Sequence, residues 1–377
     1  MTPHNIYSYF TSLAVGCLAP IAVVGWINYS VDNEGFFGPK TGSYGALVER
    51  LFRSQHGITI TQGDVRFVKL AMIERSRADC YINGSSHQME FNSHNWPAAA
   101  AYGCKQLSNI GVYYSAYEDA VIQIDALLKN PNFKTLFLAM DPWIFRKNKT
   151  RRYEVMAPVH MAARTRLGLP HDSDEYKSTV PRASIYTQVL NFSYFRHNLR
   201  ALLNDRKTTP AGVEADEEKR EGVAKREIFN SDGSRVRPID SYNKLVGRGR
   251  YFDAGNIKPP FISEDVVSEL KIILQRVKAA NKQVAFILTP YSPQVWECKG
   301  DNERSCLGLR EVEAQIEKLA DELGIDIFGS YRPEIAGVNS DEFLDGHHMS
   351  PTAFQHIKLT RRPKHGSLHT EAMRDRH

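Results

Sequence analysis

Ser86 is the residue best placed for nucleophilic chemistry. It ends the run Gly84-Ser85-Ser86, which directly follows a short apolar segment. A serine on a tight turn after a buried strand is exposed at the edge of a sheet, where a base can take its proton. Gly84 permits such a turn, and backbone N–H groups of a following helix could stabilise an oxyanion. The alternative is an ordinary loop serine or a helix N-cap.

The C-terminal part of the chain supplies a matching base and acid. Asp345 lies three residues before His348, in the run Asp345-Gly-His-His348. At this spacing the carboxylate can contact the imidazole, fix its tautomer and stabilise the imidazolium. His347 competes for the role of base. A metal site built from the two histidines and Asp345 is a weaker alternative because adjacent histidines rarely converge on one ion.

Together the two motifs resemble those of the SGNH (GDSL-like) hydrolase superfamily, over about residues 79–354. That family has Gly-x-Ser after its first strand and Asp-x-x-His near the end of its domain. The resemblance implies a catalytic triad of Ser86 as nucleophile, His348 as base and Asp345 as orienting acid. It implies no cofactor and no metal.

The resemblance also implies where an oxyanion would be bound. Asn109, Gly111 and Tyr114 lie in the segment that supplies a backbone N–H group, and the usual glycine of that segment falls at Tyr114. Asp141 occupies the position of an asparagine that normally donates to the oxyanion. An ionised Asp141 cannot donate and would repel an oxyanion. Asp141 is therefore protonated, has another role, or leaves the oxyanion hole incomplete.

Short apolar segments alternate with amphipathic helical patterns, which predicts an α/β fold. One helical stripe contains Val266, Leu270 and Val277, and another ends at Gly324 as a C-cap. The expected architecture is a three-layer α/β/α fold of the SGNH or flavodoxin type, with a mostly parallel five-stranded sheet. Its ligand would lie beyond the carboxyl ends of the strands. The predicted strands are Asp79–Asn83, Asn109–Tyr113, Lys134–Met140, Val284–Leu288 and Gly324–Phe328.

The N-terminal segment predicts one transmembrane helix within residues 1–31. No side chain from Asn5 to Val31 is charged, and a run of this length can cross a hydrocarbon core of ~30 Å. We expect a single-pass protein of a bacterial cytoplasmic membrane, with the rest of the chain facing the periplasm or exterior. The alternatives are a cleaved signal peptide, or a lipoprotein signal at Cys17.

The remaining domain boundaries follow from changes in pattern. A polar, charge-rich stretch interrupts the α/β alternation and predicts either a lid or a plain surface excursion. The chain then ends in a polar basic tail where an apolar helix is usual for the family. The predicted regions are the stem 32–70, the SGNH-like parts 71–152 and 261–357, the insertion 153–260 and the tail 358–377.

Composition excludes some classes of function. The 377 residues carry a net charge of +5, too little to argue for nucleic acid. The five cysteines include no C-x-x-C pair, so a zinc site of that type has no support. Cys298 and Cys306 could form a disulfide in an oxidising compartment or be unrelated thiols. The basic cluster 146–152 could attract an acidic glycan or be a solvated loop.

The predicted function combines these observations. Asp141-Pro-Trp143, the turn Pro290–Pro293 and the N-terminal anchor resemble membrane-anchored SGNH-like proteins of alginate acetylation and teichoic-acid D-alanylation. This implies a serine esterase or O-acyltransferase acting on an acyl ester, commonly acetyl, of an envelope polysaccharide. A membrane-bound acyltransferase is an implied partner. The alternative is a non-catalytic, membrane-tethered glycan-binding or assembly protein with a degenerate SGNH fold.

Overall fold

The computed structural model describes residues 3–31, 41–146, 151–170, 189–192, 195–196, 198–199, 226–237, 262–297 and 303–363. The chain forms two compact units. The smaller unit comprises Met1–Lys40, Thr150–Val159 and Asp172–Val223, and the larger unit comprises Thr41–Lys149, His160–His171 and Ala224–His377.

The smaller unit contains the N-terminal helix α1 (Pro3–Val31). Asn28 on this helix is fully buried, and its side-chain amide donates to the carbonyl oxygens of Val189 and Asn191 at 2.9 and 3.0 Å. These bonds satisfy a polar group that would otherwise be costly to bury. In the part of the chain that the structure describes, no helix is both long enough and apolar enough to cross a bilayer.

The chain contains further helices and two sheets. The strands are β1 (Ile58–Thr61), β2 (Cys80–Asn83), β3 (Leu107–Asn109), β4 (Thr135–Ala139), β5 (Arg226–Phe229), β6 (Arg235–Val236), β7 (Gln283–Leu288), β8 (Asp326–Gly329) and β9 (Leu359–Arg361). The helices are α2 (Thr41–Arg53), α3 (Val65–Arg75), α4 (Ala98–Ala101), α5 (Tyr117–Lys129), α6 (Arg151–Leu167), α7 (Glu264–Ala279), α8 (Pro293–Trp296), α9 (Glu303–Leu323) and α10 (Pro333–Ala336). Short 3₁₀ helices lie at Pro142–Phe145, Ser340–Glu342 and Pro351–His356.

The central sheet has the strand order β3-β2-β4-β7-β8-β9. The first five strands pair in parallel, with Cys80 opposite Leu107 and Thr135, and Thr135 opposite Gln283. Buried residues occupy successive positions of β2 and β4, as expected for parallel strands covered on both faces. The predicted α/β class and mostly parallel sheet are thus confirmed.

The expected number of five strands is wrong, because β9 pairs antiparallel with β8 at the edge. This strand lies in the predicted tail 358–377. Its polar side chains suit an edge, where one side of a strand remains open to water. Thr360 Oγ1 donates to Ile327 O at 3.1 Å, and Arg361 forms ion pairs with Glu317 and Asp321 on α9.

Helices α7 and α9 show how the sequence sets element bounds. Ser263 caps α7, where its Oγ accepts from the Val266 N–H at 3.4 Å. The predicted apolar stripe of α7, including Leu270 and Val277, is buried. After α9, Gly324 has a φ of 63°, the left-handed conformation that favours glycine at a helix end. Both helix predictions are confirmed.

Two local predictions near Ser86 are wrong. The predicted strand Asn109–Tyr113 is instead β3, which ends at Asn109 because the Gly111 N–H turns back to donate to Asn109 Oδ1 at 2.9 Å. No helix follows Ser86 directly, since residues 86–90 form turns. The N-terminal dipole of a helix is therefore not available at Ser86.

A second sheet joins the predicted stem to the predicted insertion. Strands β1, β5 and β6 pair antiparallel, with Ile58 opposite Phe229. The turn between β5 and β6 lies against the end of β3, where a Cβ on Gly233 would come within 2.4 Å of Asn109 O. Lys69 is fully buried and donates to both Asn109 O and Gly233 O. This anchors the hairpin beside the carboxyl ends of the central strands.

A disulfide links Cys80, at the start of β2, to Cys104, before β3, with a Cα–Cα distance of 5.7 Å. Sequence spacing gave no reason to pair these two residues. Of the predicted candidates, Cys306 takes part in a disulfide, whereas Cys298 lies outside the described residues.

Candidate active site

The turn after β2 exposes Ser86 at the carboxyl edge of the sheet. Gly84 begins this turn, and a Cβ at that position would come within 2.7 Å of the Ala139 side chain on β4. Gly84 is therefore required by close packing rather than by a positive φ. The Gly84 carbonyl accepts from the Val112 N–H at 2.8 Å, which ties the turn to the segment after β3.

Ser86, His348 and Asp345 form a continuous hydrogen-bonded chain. The distance from Ser86 Oγ to His348 Nε2 is 3.0 Å, and that from His348 Nδ1 to Asp345 Oδ2 is 2.7 Å. Folding thus brings together two motifs that are 262 residues apart. With Nδ1–H directed at the carboxylate, Nε2 carries a lone pair that can accept the Ser86 proton.

The loop that carries Asp345 and His348 is held by its own backbone. Asp345 Oδ1 accepts from the N–H groups of His347 and His348, both at 2.8 Å. The Leu344 N–H donates to His348 O at 2.8 Å, and the Ser292 N–H donates to Gly346 O at 3.0 Å. These bonds fix the position of the imidazole relative to Ser86, as a positioned base requires.

The charge state of Asp345 suits its role as an orienting acid. Burial would raise its pKa, but the hydrogen bond and charge of His348 and the charge of His347 hold the pKa well below its usual range. Asp345 is therefore a carboxylate at neutral pH and can stabilise an imidazolium on His348.

Gln88 joins the ends of three strands beneath Ser86. Its Oε1 accepts from the Ser85 N–H at 2.9 Å, while its Nε2 donates to Asp141 Oδ1 at 3.2 Å and to Thr289 Oγ1 at 3.0 Å. Ser85 follows β2, Asp141 follows β4, and Thr289 follows β7. Fully buried hydrogen bonds of this kind give the turn one preferred geometry.

Asn109 and Gly111, predicted to bind the oxyanion, hold the turn after β2 instead. The Asn109 side-chain amide donates to the carbonyl oxygens of Gln88 and Phe91 at 2.7 and 2.9 Å. Its Oδ1 accepts from the Gly111 N–H. Both amide protons of Asn109 and the Gly111 N–H are therefore already engaged within the protein.

Tyr114 has a backbone that favours glycine. Its φ is 50°, which is unusual for a bulky residue, and its side chain is 63% exposed. This is the position where the sequence resemblance places the usual glycine.

The Ser86 N–H has no hydrogen-bond acceptor among the described residues. This backbone N–H group is therefore suited to donate a hydrogen bond to an oxyanion.

Asp141 lies behind the turn as a buried carboxyl group. Burial raises its pKa to about 6, against the opposing effect of hydrogen bonds from Ser85 and Gln88. Its Oδ1 accepts a hydrogen bond from Gln88 Nε2 at 3.2 Å, so this oxygen is already engaged within the protein. Of the three possibilities raised by the sequence, the structure supports another role for Asp141, namely positioning Ser85 and Gln88.

His87 and His347 surround the imidazole of His348. The ring centroid of His87 lies 4.7 Å from that of His347 and 5.1 Å from that of His348. Burial and the charges of the other two histidines lower the pKa of His87 well below its usual value. Burial, and then the charge of His348, lower the pKa of His347 to about 3. Both side chains are neutral at pH 7.

Two arginines of the β5–β6 hairpin lie beside this cluster. Arg235 and Arg237 share the buried carboxylate of Glu90, with Arg237 Nε at 2.8 Å from it. The Arg235 N–H also donates to Met89 O at 2.6 Å, three residues after Ser86. The segment predicted as an insertion therefore contributes two arginines beside the site, whose charges are paired with Glu90 and Glu227. The predicted basic cluster 146–152 lies partly outside the described residues.

Sequence reasoning missed Gln88, Thr289 and His87. Gln88 and His87 directly follow the predicted nucleophile, and Thr289 ends a predicted strand. Their positions in the sequence could have indicated them, because polar residues at the carboxyl ends of parallel strands meet at one edge of the sheet. Their individual hydrogen bonds depend on tertiary packing.

Comparison with known proteins adds no further assignment. No family model matches the chain, and no curated protein gives a significant match. The geometry of the site therefore carries the functional argument.

Proposed function

We propose that the chain is a serine esterase or O-acyltransferase of the SGNH type that acts on acyl esters, foremost acetyl esters, of an extracytoplasmic polysaccharide or other envelope glycan. The observation that carries this proposal is the hydrogen-bonded chain from Ser86 Oγ through His348 to Asp345. An activated serine with an oriented base is the arrangement that acyl transfer requires.

In the proposed reaction, Ser86 Oγ attacks the acyl carbonyl while His348 Nε2 takes the hydroxyl proton. Asp345 stabilises the resulting imidazolium, and the backbone N–H of Ser86 donates to the oxyanion. Collapse of the tetrahedral intermediate breaks the ester bond, and His348 returns the proton to the leaving alcohol. The acyl group on Ser86 then passes to water or to a sugar hydroxyl, which His348 deprotonates in turn.

Family membership is part of this proposal. The parallel strands lie in the order β3-β2-β4-β7-β8, with the first parallel strand, β2, between the second and third. That order matches the flavodoxin-like arrangement 2-1-3-4-5. The three-layer α/β/α architecture is supported by burial along β2, β4 and β7.

Ser86→Ala should abolish covalent labelling by a fluorophosphonate probe and hydrolysis of 4-nitrophenyl acetate. The loss should be about 10³-fold or more in kcat, because the nucleophile and its acyl intermediate are removed. Labelling would be measured on the purified full chain by intact mass spectrometry.

Ser93→Ala is the matched control for that experiment. Ser93 is an exposed serine in the same connection between β2 and α4, and its replacement should leave labelling and turnover unchanged. Undiminished labelling of the Ser86→Ala protein would show that another residue is the nucleophile.

A non-catalytic glycan-binding role is the second candidate. It is favoured by Asp141, which offers a buried carboxylate where the resemblance expects an amide donor. Glycan binding that persists in the Ser86→Ala protein, combined with no probe labelling of the wild type, would support this role. A membrane-bound acyltransferase that supplies the acyl group is a proposed partner only for the transferase reaction, and nucleic acid is not a proposed partner.

Anchoring in a bacterial cytoplasmic membrane by one N-terminal helix, with the rest of the chain facing the periplasm or exterior, is a separate proposal. It is supported by the uncharged run Asn5–Val31, and by the disulfide Cys80–Cys104, since such bonds persist in oxidising compartments. Exposed apolar side chains on α1 are Leu18, Ile21, Val23, Trp26 and Tyr29.

Cell fractionation should therefore place the full chain with membranes. Alkylation of intact cells before and after reduction should show Cys80 and Cys104 to be oxidised. A soluble chain with both thiols free would refute the proposed location.

A further inference from the structure

Three imidazoles meet beside Ser86, although a serine triad needs only one. His87, His347 and His348 each offer a ring nitrogen, and these nitrogens all lie within 4.8 Å of one another. We propose that the three histidines form a binding site for a divalent transition-metal ion of the zinc class, and that the bound ion blocks the Ser86–His348 pair.

The donor set is one that zinc uses. Three neutral imidazoles with a fourth, open position form a common Zn²⁺ site. His347 and His348 alone would provide only two of the three imidazoles that such a site needs. In the folded chain His87 provides the third imidazole. It directly follows Ser86 in the sequence, and it is almost completely buried.

Carboxylates stand behind the imidazoles, as they do in zinc proteins. Asp345 Oδ2 lies 2.7 Å from His348 Nδ1, and Asp345 Oδ1 lies 3.3 Å from His347 Nδ1. For His87, Nδ1 lies 3.4 Å from Thr289 Oγ1 and 3.5 Å from Asp141 Oδ1. The short hydrogen bond to Asp345 orients the ring of His348 and raises the basicity of its opposite nitrogen. The contacts of His347 and His87 are longer and place a carboxylate or hydroxyl oxygen near each ring.

Closure of the site requires only a small movement. Zn–N bonds of about 2.0–2.1 Å in tetrahedral geometry place the nitrogens roughly 3.4 Å apart. The nitrogens must therefore approach one another by up to about 1.4 Å from their separation of at most 4.8 Å in the structure. The side chain of His347 is 18% exposed, so its ring can rotate towards buried His87 while His348 keeps its hydrogen bond to Asp345.

Metal binding and acyl transfer compete for the same lone pair. His348 Nδ1 is held by Asp345, which leaves Nε2 for the ion, and Nε2 is the atom 3.0 Å from Ser86 Oγ. Once Nε2 coordinates a metal, it cannot accept the serine proton. The inhibition rests on the proposed function, whereas the metal site itself does not.

Binding would be measured on the full chain after treatment with a chelator. Titration with Co²⁺ should give the visible absorption of a four-coordinate ion at one equivalent, and calorimetry should give one Zn²⁺ per chain. His347→Gln and His87→Gln should each weaken Zn²⁺ binding by about 100-fold or more. His94→Gln is the control because His94 is exposed, and its affinity should match that of the wild type.

Thermal unfolding of the apo variants shows whether loss of binding reflects loss of fold. His347→Gln serves as the second variant because its side chain is less buried than that of His87. The metal site is refuted if the wild type binds no Zn²⁺ at a free concentration on the order of 100 μM, which would half-saturate a site with a Kd of that order. It is equally refuted if folded His347→Gln binds with unchanged affinity.

Fluorophosphonate labelling tests the competition separately. Saturating Zn²⁺ should slow labelling of Ser86 at least tenfold, and a chelator should restore the rate. Zn²⁺ bound to the three histidines without protection of Ser86 would overturn the blocking role. If the metal-free wild type is not labelled at all, the proposed function fails, while the Co²⁺ spectrum still decides the metal site.

Discussion

Asp345→Asn should leave the protein folded and lower kcat/KM for an acetyl ester by about 10⁴-fold. The asparagine carbonyl can still accept from the N–H groups of His347 and His348, which Asp345 Oδ1 does now at 2.8 Å. Its NH₂ group would then face His348 Nδ1 and force that nitrogen to act as an acceptor. The proton of the imidazole would move to Nε2, the tautomer that cannot take a proton from Ser86.

Glu342→Gln is the matched control for this variant. Glu342 Oε1 lies 3.2 Å from His356 Nε2, so the two residues form another carboxylate–histidine pair in the same part of the chain. Among the described residues, Ser86 Oγ is hydrogen-bonded to His348 and to neither member of that pair. Glu342→Gln should therefore keep kcat/KM within about twofold of the wild-type value.

Steady-state kinetics with 4-nitrophenyl acetate and thermal unfolding would be measured on both variants. Asp345→Asn retaining more than a tenth of wild-type kcat/KM would contradict an orienting carboxylate at this position. Equal losses in Asp345→Asn and Glu342→Gln would point to a general effect on the C-terminal segment rather than to the tautomer of His348.

The sequence was sufficient to predict four of the five parallel strands, β2, β4, β7 and β8, and the convergence of Ser86 with His348. Buried parallel strands are continuous apolar runs, and polar residues that follow them must meet at one edge. The Asp-x-x-His spacing is local, so its hydrogen bond could be foreseen without knowledge of the fold. The Asp-x-x-His contact depends only on neighbouring residues, and the meeting of the strand ends depends only on the general arrangement of a parallel sheet.

Features that depend on particular tertiary contacts could not be predicted. The family resemblance placed Asn109 in the oxyanion segment, yet its side-chain amide donates to the carbonyl oxygens of Gln88 and Phe91 in the segment after Ser86. Strand β9 could not be recognised from the sequence, because an edge strand does not require apolar and polar residues to alternate. The β5–β6 hairpin is tied to the end of β3 by the buried Nζ of Lys69, which no local sequence pattern indicates.

Asn109→Ala should lower both stability and turnover, and it tests whether the turn after β2 is a positioning element. Loss of this side chain leaves Gln88 O, Phe91 O and the Gly111 N–H without their present partner. Buried groups deprived of a partner cost about 1–3 kcal/mol each. We expect the free energy of unfolding to fall by about 3–5 kcal/mol.

Asn130→Ala provides a control with the same chemistry at the opposite end of the sheet. Asn130 caps the C-terminus of α5, before β4, and its amide donates to Ile73 O at 2.6 Å and to Ser76 O at 3.1 Å. Its Oδ1 accepts from the Asn132 N–H at 2.8 Å. Both asparagines are buried, so a comparable loss of stability, about 3–5 kcal/mol, is expected from the same cause.

Turnover should separate the two variants. Asn109 donates to the carbonyl oxygens of Gln88 and Phe91, in the segment that follows Ser86. Its loss should therefore allow the nucleophile to shift relative to His348. A displacement of about 1 Å can cost 10²-fold in rate. Asn130 lies at the amino ends of the strands, and its loss should leave kcat within about twofold when measured well below the unfolding temperature. Chemical denaturation and kcat would be compared for both proteins. If Asn130→Ala lost as much kcat as Asn109→Ala at equal stability, the decrease would follow from general destabilisation, and Asn109 would have no positioning role at Ser86.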